Sequence, residues 1–333
     1  MRTSTRPLNP SKPDADGSLR PAPLMFRSKL SRSAAVDPKA RLKGLVAEVD
    51  ARLPELIPGP EERPEKVHEA MAYALTGPGK RLRPVLCLCV ADIFGEVTPR
   101  ILDLACSVEL VHACSLILDD LPMMDDAGLR RGRVTTHKVY GEDVAVLASY
   151  GLLNQAYAIV AEQALHLSLD RYTPEDLMHL LTEAVGSRGL VGGQALDLES
   201  ASMPPEAMDL DRLEFIHSHK TGALFTAAAE LGAMAVDARR RHLGHVTRYA
   251  KNLGLAFQIA DDLLDVTATP EETGKDGGQD EDKLTFVKLL GIDGAEALLA
   301  ELLQFAVESV APLGPKADTL RLLAEVVRRR GRL

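Results

Sequence analysis

Two carboxylate clusters stand out, Asp119-Asp120-Leu-Pro-Met-Met-Asp125 and Asp261-Asp262-Leu-Leu-Asp265, each closing a strongly apolar run. On a helix, residues four apart share a face, so Asp261 and Asp265 point the same way, with Gln258 one turn earlier. Like charges at that spacing destabilise a helix unless a cation lies between them. Magnesium is a suitable cation, because it takes one or two carboxylates and completes its octahedron with waters and phosphate oxygens. Asp119 and Asp125 are six apart and would fall on different faces of a regular helix. Pro122 between them predicts a break that turns the chain back toward the site.

Cations flank both clusters. Arg130-Arg131-Gly132-Arg133 follows the first, Lys80-Arg81-Leu82-Arg83-Pro84 opens a helical run, and Lys220-Thr221 sits within His217-Ser-His-Lys-Thr-Gly. A guanidinium offers a planar fork that matches a phosphate, so the pattern divides labour: aspartates for metal, cations for phosphate. The formal net charge of -9 argues against nucleic acid as the main partner, since phosphate backbones attract basic surfaces. A single acid pair would read equally well as an exposed helix end. Two such pairs, each beside cations, favour a site for diphosphate.

The elements that must position these groups are helical. Ala and Leu dominate, aromatics are 4% and Trp is absent in the 333 residues, a profile that costs little in a helix. Periodicity and capping signals predict helices over 39–57, 64–76, 83–94, 99–120, 143–168, 175–196, 208–232, 239–266 and 295–312, with a short one to about 329. Asp37-Pro38 and Thr98-Pro99 are N-terminal signals, a capping side chain before a first-turn Pro. Strand signals are missing. The expected fold is all-α: one domain over 37–333, a bundle of long helices around a central cavity. Residues 1–36, rich in Pro, Ser, Thr and Arg without periodicity, read as a disordered tail. The Gly-rich, charged segment 269–283 reads as a lid that would turn Lys275 and Lys283 inward on closing. Cys87, Cys89, Cys106 and Cys114 have neither zinc nor disulfide spacing, which points to a reducing compartment, and the cytoplasm is the expected location. No apolar stretch reads as long and clean enough to span a bilayer, so stable membrane insertion is not expected.

Taken together, the blocks GKRLRP (79–84), ELVHACSLILDDLPMMDD (109–126), LRRG (129–132), GGQALDLE (192–199), IHSHKTGALF (216–225), FQIADDLLD (257–265), GK (274–275) and KLTF (283–286) resemble, in order, the trans-isoprenyl diphosphate synthase (polyprenyl synthetase) family. The resemblance implies an isoprenoid synthase-type all-α fold, a homodimer, and a Mg²⁺-dependent prenyltransferase joining isopentenyl diphosphate to an allylic diphosphate. By it, Asp119, Asp120, Asp125, Asp261 and Asp265 hold about three Mg²⁺ ions, for which Mn²⁺ is a substitute. Arg130, Lys220, Gln258 and Lys275 approach the allylic diphosphate, with Lys283 nearby, and Thr221 beside Lys220 is a further substrate-binding position. Lys80, Arg83, His112 and Arg131 hold the isopentenyl diphosphate. The groups most directly placed at the ionising bond are Asp119, Asp120, Asp125, Arg130, Lys220 and Asp261. Gln194 and Asp197 are expected as cavity scaffolding. Where relatives often carry two further acids before LRRG, this chain has Ala127-Gly128.

Growth of a product along the helix ending at Asp119 would pass Ser115 and Cys114, four and five residues earlier. In the family a bulky aromatic at one of them stops growth at farnesyl (C15). Both are small here, which predicts geranylgeranyl diphosphate (C20), with farnesyl diphosphate as the alternative. A class I terpene cyclase would carry a different second metal motif and no use for the isopentenyl cations. A non-catalytic prenyltransferase subunit would lack aspartates, and none is missing.

Overall fold

The computed structural model describes residues 37–201, 203, 209–267 and 284–329. The expected tail over 1–36, the lid over 269–283, and with it Lys275 and Lys283, lie outside the described residues.

The chain opens with α1 (Pro38–Arg52), whose N-cap Asp37 accepts from Lys39 N–H, and α2 (Glu65–Leu75). Next come α3 (Leu82–Phe94) and α4 (Pro99–Asp119), the latter capped by Thr98 Oγ1 on Ile101 N–H. A short α5 (Thr136–Tyr140) leads into α6 (Glu142–Ala164), α7 (Pro174–Val185) and α8 (Leu190–Ala201). Then follow α9 (Leu210–His217), a π-helical turn over Ser218–Gly222, and α10 (Ala223–Ala235). The last three are α11 (Arg240–Thr267), α12 (Phe286–Ser309) and α13 (Asp318–Arg328). The architecture is the expected all-α bundle.

Helix α4 is the axis of the core. Thirteen of its residues are buried, including Leu104, Val108, Leu110 and Ile117, and it packs along α6 and α3. Helix α10 lies against α3 and α11, and α11 pairs with α12. Small residues set the closest approach: a Cβ on Gly232 of α10 would lie 2.1 Å from the Cys87 carbonyl oxygen of α3. With few aromatics available, the largest fully buried side chains are Tyr249, Phe225 and Phe286. The Tyr249 hydroxyl donates to Leu320 O at 2.6 Å, tying α13 to α11.

Several expectations change. The predicted helix 39–57 ends at Arg52, where Pro54 converts the remainder into a 3-10 turn over Leu53–Leu56. The predicted 175–196 helix is two, α7 and α8, because the chain turns between Gly186 and Gly189, which folds back tightly on the Ala184 carbonyl. Helix α12 starts at Phe286, nine residues before the predicted 295, with Thr285 as its cap and a kink at Gly291 (φ 71°). A small hairpin went unpredicted: β1 (Leu129–Arg130) pairs antiparallel with β2 (Arg133–Val134).

The reading of membrane spans is also corrected. By length and composition, α4 and α6 are both apolar enough to cross a bilayer. In α4 that composition belongs to a core helix, 72% of whose apolar window is buried. In α6 only 39% is buried, and Leu147 and Tyr150 stand exposed.

Candidate active site

The first aspartate motif is a helix end and the turn that follows it. Asp119 closes α4, and its carbonyl accepts from Asp125 N–H at 2.9 Å, so the loop around Pro122 returns Asp125 to Asp119. Asp120 N–H still bonds into the helix, while Asp120 O accepts from Ala127 N–H at 3.2 Å. Ala127 is buried and its carbonyl accepts from Thr135 Oγ1 at 2.7 Å, so an acid side chain there would have no solvent to face. The hairpin follows at once. Arg131 (φ 55°) and Gly132 (φ 77°) form its two-residue turn, both in the left-handed region that such hairpin turns require. The turn presents Arg130 and Arg131 side by side on a rigid element.

The second motif lies on α11. Asp261 and Asp265 line one cavity together with Gln258, as the four-residue spacing predicts. Asp262 points the other way, into the core. Its carboxylate accepts from Gln258 Nε2 at 2.9 Å and from Phe286 N–H at 3.0 Å, so it clamps the start of α12 to α11. Burial raises its pKa to about 6 despite those donors. Gln258 Oε1 accepts in turn from Thr221 Oγ1 at 3.2 Å.

Both motifs face one cavity of about 890 Å³, at the large end of the range for ligand sites. Asp119 and Asp125 line it from α4 and its loop, and Asp261 and Asp265 from α11. The cations converge there too. Lys80 Nζ lies 3.7 Å from Asp261 Oδ1 and 5.2 Å from the centre of the Phe257 ring. Arg83 is buried over the Phe225 ring, with no partner for its Nε. Burial lowers its pKa to about 10, and the group stays charged at neutral pH. Arg131 Nη2 lies 3.2 Å from His112 Nε2. Burial and the surrounding arginines push the His112 imidazole well below its usual range, so it is neutral and accepts this bond. Lys220 Nζ donates to Asp197 at 2.6 Å. That lysine sits in the π-helical turn, where an extra residue swings Lys220 and Thr221 to the cavity wall.

The double glycine of GGQALDLE serves this turn. A Cβ on Gly193 would lie 2.1 Å from Lys220 N, so only glycine lets α8 approach the backbone that carries Lys220. Gly193→Ala is expected to displace Lys220 and to cost about 1–3 kcal/mol of stability through overpacking. Thermal melting and a steady-state assay check this, and wild-type values for both would count against the role. Gln194, also on the cavity wall, donates to Met124 Sδ at 3.9 Å.

Two sequence-predicted residues sit elsewhere. Asp120 is 3% exposed and accepts from Arg130 Nε rather than lining the main cavity. Cys114 is buried on the α6 side of α4, close enough to Tyr157 to help burial raise that phenol's pKa, whereas Ser115 lines the cavity. A helix turns 100° per residue, so neighbours cannot share one wall. Sequence reasoning missed Arg81, Glu109, Asp262 and the hairpin. Arg81 lies inside GKRLRP (79–84), where spacing does not tell a ligand from a buried ion pair.

Burial raises the Asp120 pKa to about 6 against the opposing pull of Arg130. The Arg130 pairing needs the charged form, which is complete above that pH and is lost as pH falls through it. kcat/KM is therefore expected to decline below pH 6. A profile flat to pH 5 would separate Asp120 from function.

Among the described residues, no three His, Cys, Asp or Glu side chains converge as a closed metal cage. Two carboxylate pairs lining one cavity fit magnesium instead, which takes few protein ligands and leaves positions for phosphate oxygens and water.

A model of the polyprenyl synthetase family matches residues 64–311. The chain belongs to the polyprenyl synthetase family. It is 44% identical over 266 residues to a dimethylallyltranstransferase of Fischerella ambigua, covering 79% of this chain and 76% of that one. It is 41% identical over 271 residues to geranylgeranyl pyrophosphate synthase 9 of Arabidopsis thaliana, covering 80% and 74%. Among solved structures, an FPP/GFPP synthase from Zymomonas mobilis superimposes with a TM-score of 0.77 at 34% identity, covering 88% of this chain and all of that one. A Helicobacter pylori geranyltransferase, solved with magnesium and isoprenyl diphosphate, gives 0.76 at 27% identity, covering 90% and 98%. As a member of this family the chain is a prenyltransferase, a short-chain trans-prenyl diphosphate synthase.

Proposed function

We propose that this polyprenyl synthetase condenses isopentenyl diphosphate with allylic diphosphates and releases geranylgeranyl diphosphate (C20). The observation that carries the reading is the pairing of Asp119 and Asp125 with Asp261 and Asp265 on one cavity, with six cations on the same walls. Lys220, Arg130 and Gln258 lie with the aspartates and orient the allylic diphosphate. Lys80, Arg83, Arg131 and the neutral His112 bind the isopentenyl diphosphate. Magnesium, about three ions by family resemblance, supplies positive charge to the departing diphosphate when bound. The fixed cations add to that stabilisation without reorganising as the bond breaks. Apolar wall residues Leu116, Leu190, Leu224 and Phe257 exclude water from the allylic cation until the isopentenyl double bond attacks it. The proton then lost passes to the released diphosphate. No side-chain nucleophile is required.

Product length rests on Ser115, which leaves the cavity wall open one turn below Asp119, and on the geranylgeranyl synthases among the relatives. Incubation with isopentenyl diphosphate and dimethylallyl, geranyl or farnesyl diphosphate, followed by mass spectrometry, tests both levels. A C15 end point would overturn the length, and no Mg²⁺-dependent elongation would overturn the activity.

The cytoplasm is the proposed location and a homodimer the proposed assembly. The exposed apolar face of α6, with Leu147 at 55% and Tyr150 at 67%, supports the dimer. Leu147→Asp with Tyr150→Asp is expected to give monomers by light scattering. An unchanged mass would place the interface elsewhere.

A further inference from the structure

The turn carrying Lys80 and Arg83 is anchored by a side chain at the cavity edge whose guanidinium is held by four protein partners. Arg81 is 6% exposed, with its backbone in the left-handed region at φ 46°. Its Nε donates to Asp50 Oδ1 at 2.7 Å and its Nη1 to Glu109 Oε1 at 2.8 Å. Its Nη2 donates to the carbonyls of Leu75 at 3.1 Å and Gly77 at 2.9 Å. One guanidinium thus joins α1, α4, the end of α2 and the turn after it. Glu109, 3% exposed, is also the stronger of two negative charges, with Asp261, that favour the cationic forms of Arg83 and Arg131. Gly79 lets the two arginines meet: a Cβ there would lie 2.8 Å from Arg131 Nη1 and 3.1 Å from Arg81 Nη1.

We infer that the buried Arg81–Glu109 pair is a positioning device for the isopentenyl diphosphate subsite, fixing the spacing of Lys80, Arg83 and Arg131 before substrate arrives. Three guanidinium groups gathered at a poorly solvated wall repel one another, and one buried carboxylate among them lets them stay. The strained φ of Arg81 persists because four hydrogen bonds over-determine it. Cations held in this way need no rearrangement when the diphosphate enters, which is where preorganisation gains affinity. The allylic side has its own supports, Asp197 on Lys220 and Thr221 with Asp262 on Gln258. Loss of the pair should therefore fall on one substrate.

The inference rests on the proposed assignment of this subsite. Wild-type elongation tests the function itself, and the ratio of variant to wild type tests the inference. Two variants are measured, Arg81→Lys and the double variant Arg81→Met with Glu109→Gln, which removes both buried charges together. Each is expected to raise KM for isopentenyl diphosphate at least about tenfold, with KM for farnesyl diphosphate within about twofold and kcat little changed. An unchanged isopentenyl KM in either folded variant overturns the inference, as does an equal rise for both substrates. Thermal melting establishes folding. If the double variant does not fold, Arg81→Lys decides on the same criterion, since it keeps a charge opposite Glu109 and loses only the fork.

Discussion

Asp119→Asn is expected to lower kcat/KM by a factor on the order of 10²–10³ while leaving the fold as stable as wild type or slightly more so. The loss follows from removing one carboxylate of the pair that faces Asp261 and Asp265, because groups that stabilise a departing charge contribute about that much each. Stability moves the other way for a separate reason. Asp119 is the last residue of α4, where a negative side chain opposes the helix macrodipole, and neutralising it relieves about 0.3–1 kcal/mol. The contact that returns Asp125 to Asp119 uses the Asp119 carbonyl, so the substitution leaves the turn intact. Steady-state kinetics and melting curves check both halves. A thermal shift from Mg²⁺ with pyrophosphate should shrink in parallel, since only a ligand bound by the native state raises its melting point. Full activity in Asp119→Asn would remove the first motif from the metal site.

Ser115→Phe is expected to convert a C20 product to C15. Ser115 lines the cavity one turn below Asp119, and a phenyl ring there meets the growing chain sterically. Chain length by mass spectrometry decides it: an unchanged C20 product would place the floor on another helix. Cys114→Phe is expected to behave differently, although from sequence alone the two positions are equivalent. Cys114 lies buried on the α6 side beside Tyr157, where added volume costs about 1–3 kcal/mol in overpacking before it reaches the product path.

The contrast between these two positions shows where local pattern stops being informative. Spacing of three and four residues reports which groups share a helix face. It therefore placed Asp261, Asp265 and Gln258 on one wall and named Pro122 as the point where α4 must end. Composition reported the helical class, and capping pairs at Asp37-Pro38 and Thr98-Pro99 fixed helix starts, because those signals act within one turn of chain. The ordered blocks were specific enough to identify the family without any coordinates.

What spacing could not report is contact between distant segments. Asp262 and Asp261 are neighbours in one motif, yet the first clamps α12 and the second faces the cavity. That division appears only once Phe286 N–H is seen to reach across from the next helix. Arg81 and Arg83 are two residues apart in one basic run and both border the cavity, and only the partners Asp50 and Glu109, brought from α1 and α4, make the first an anchor, while the Nε of the second has no partner. The hairpin that presents Arg130 and Arg131 was too short for periodicity to register. The π turn at Lys220 depends on α8 packing against it through Gly193. Sequence alone thus determined the helical class, the family and which aspartates of the second motif share a face, because these are set by residue type and local period. Tertiary structure alone decided which of two adjacent side chains faces the cavity, because that depends on long-range packing and on where buried charges find their partners.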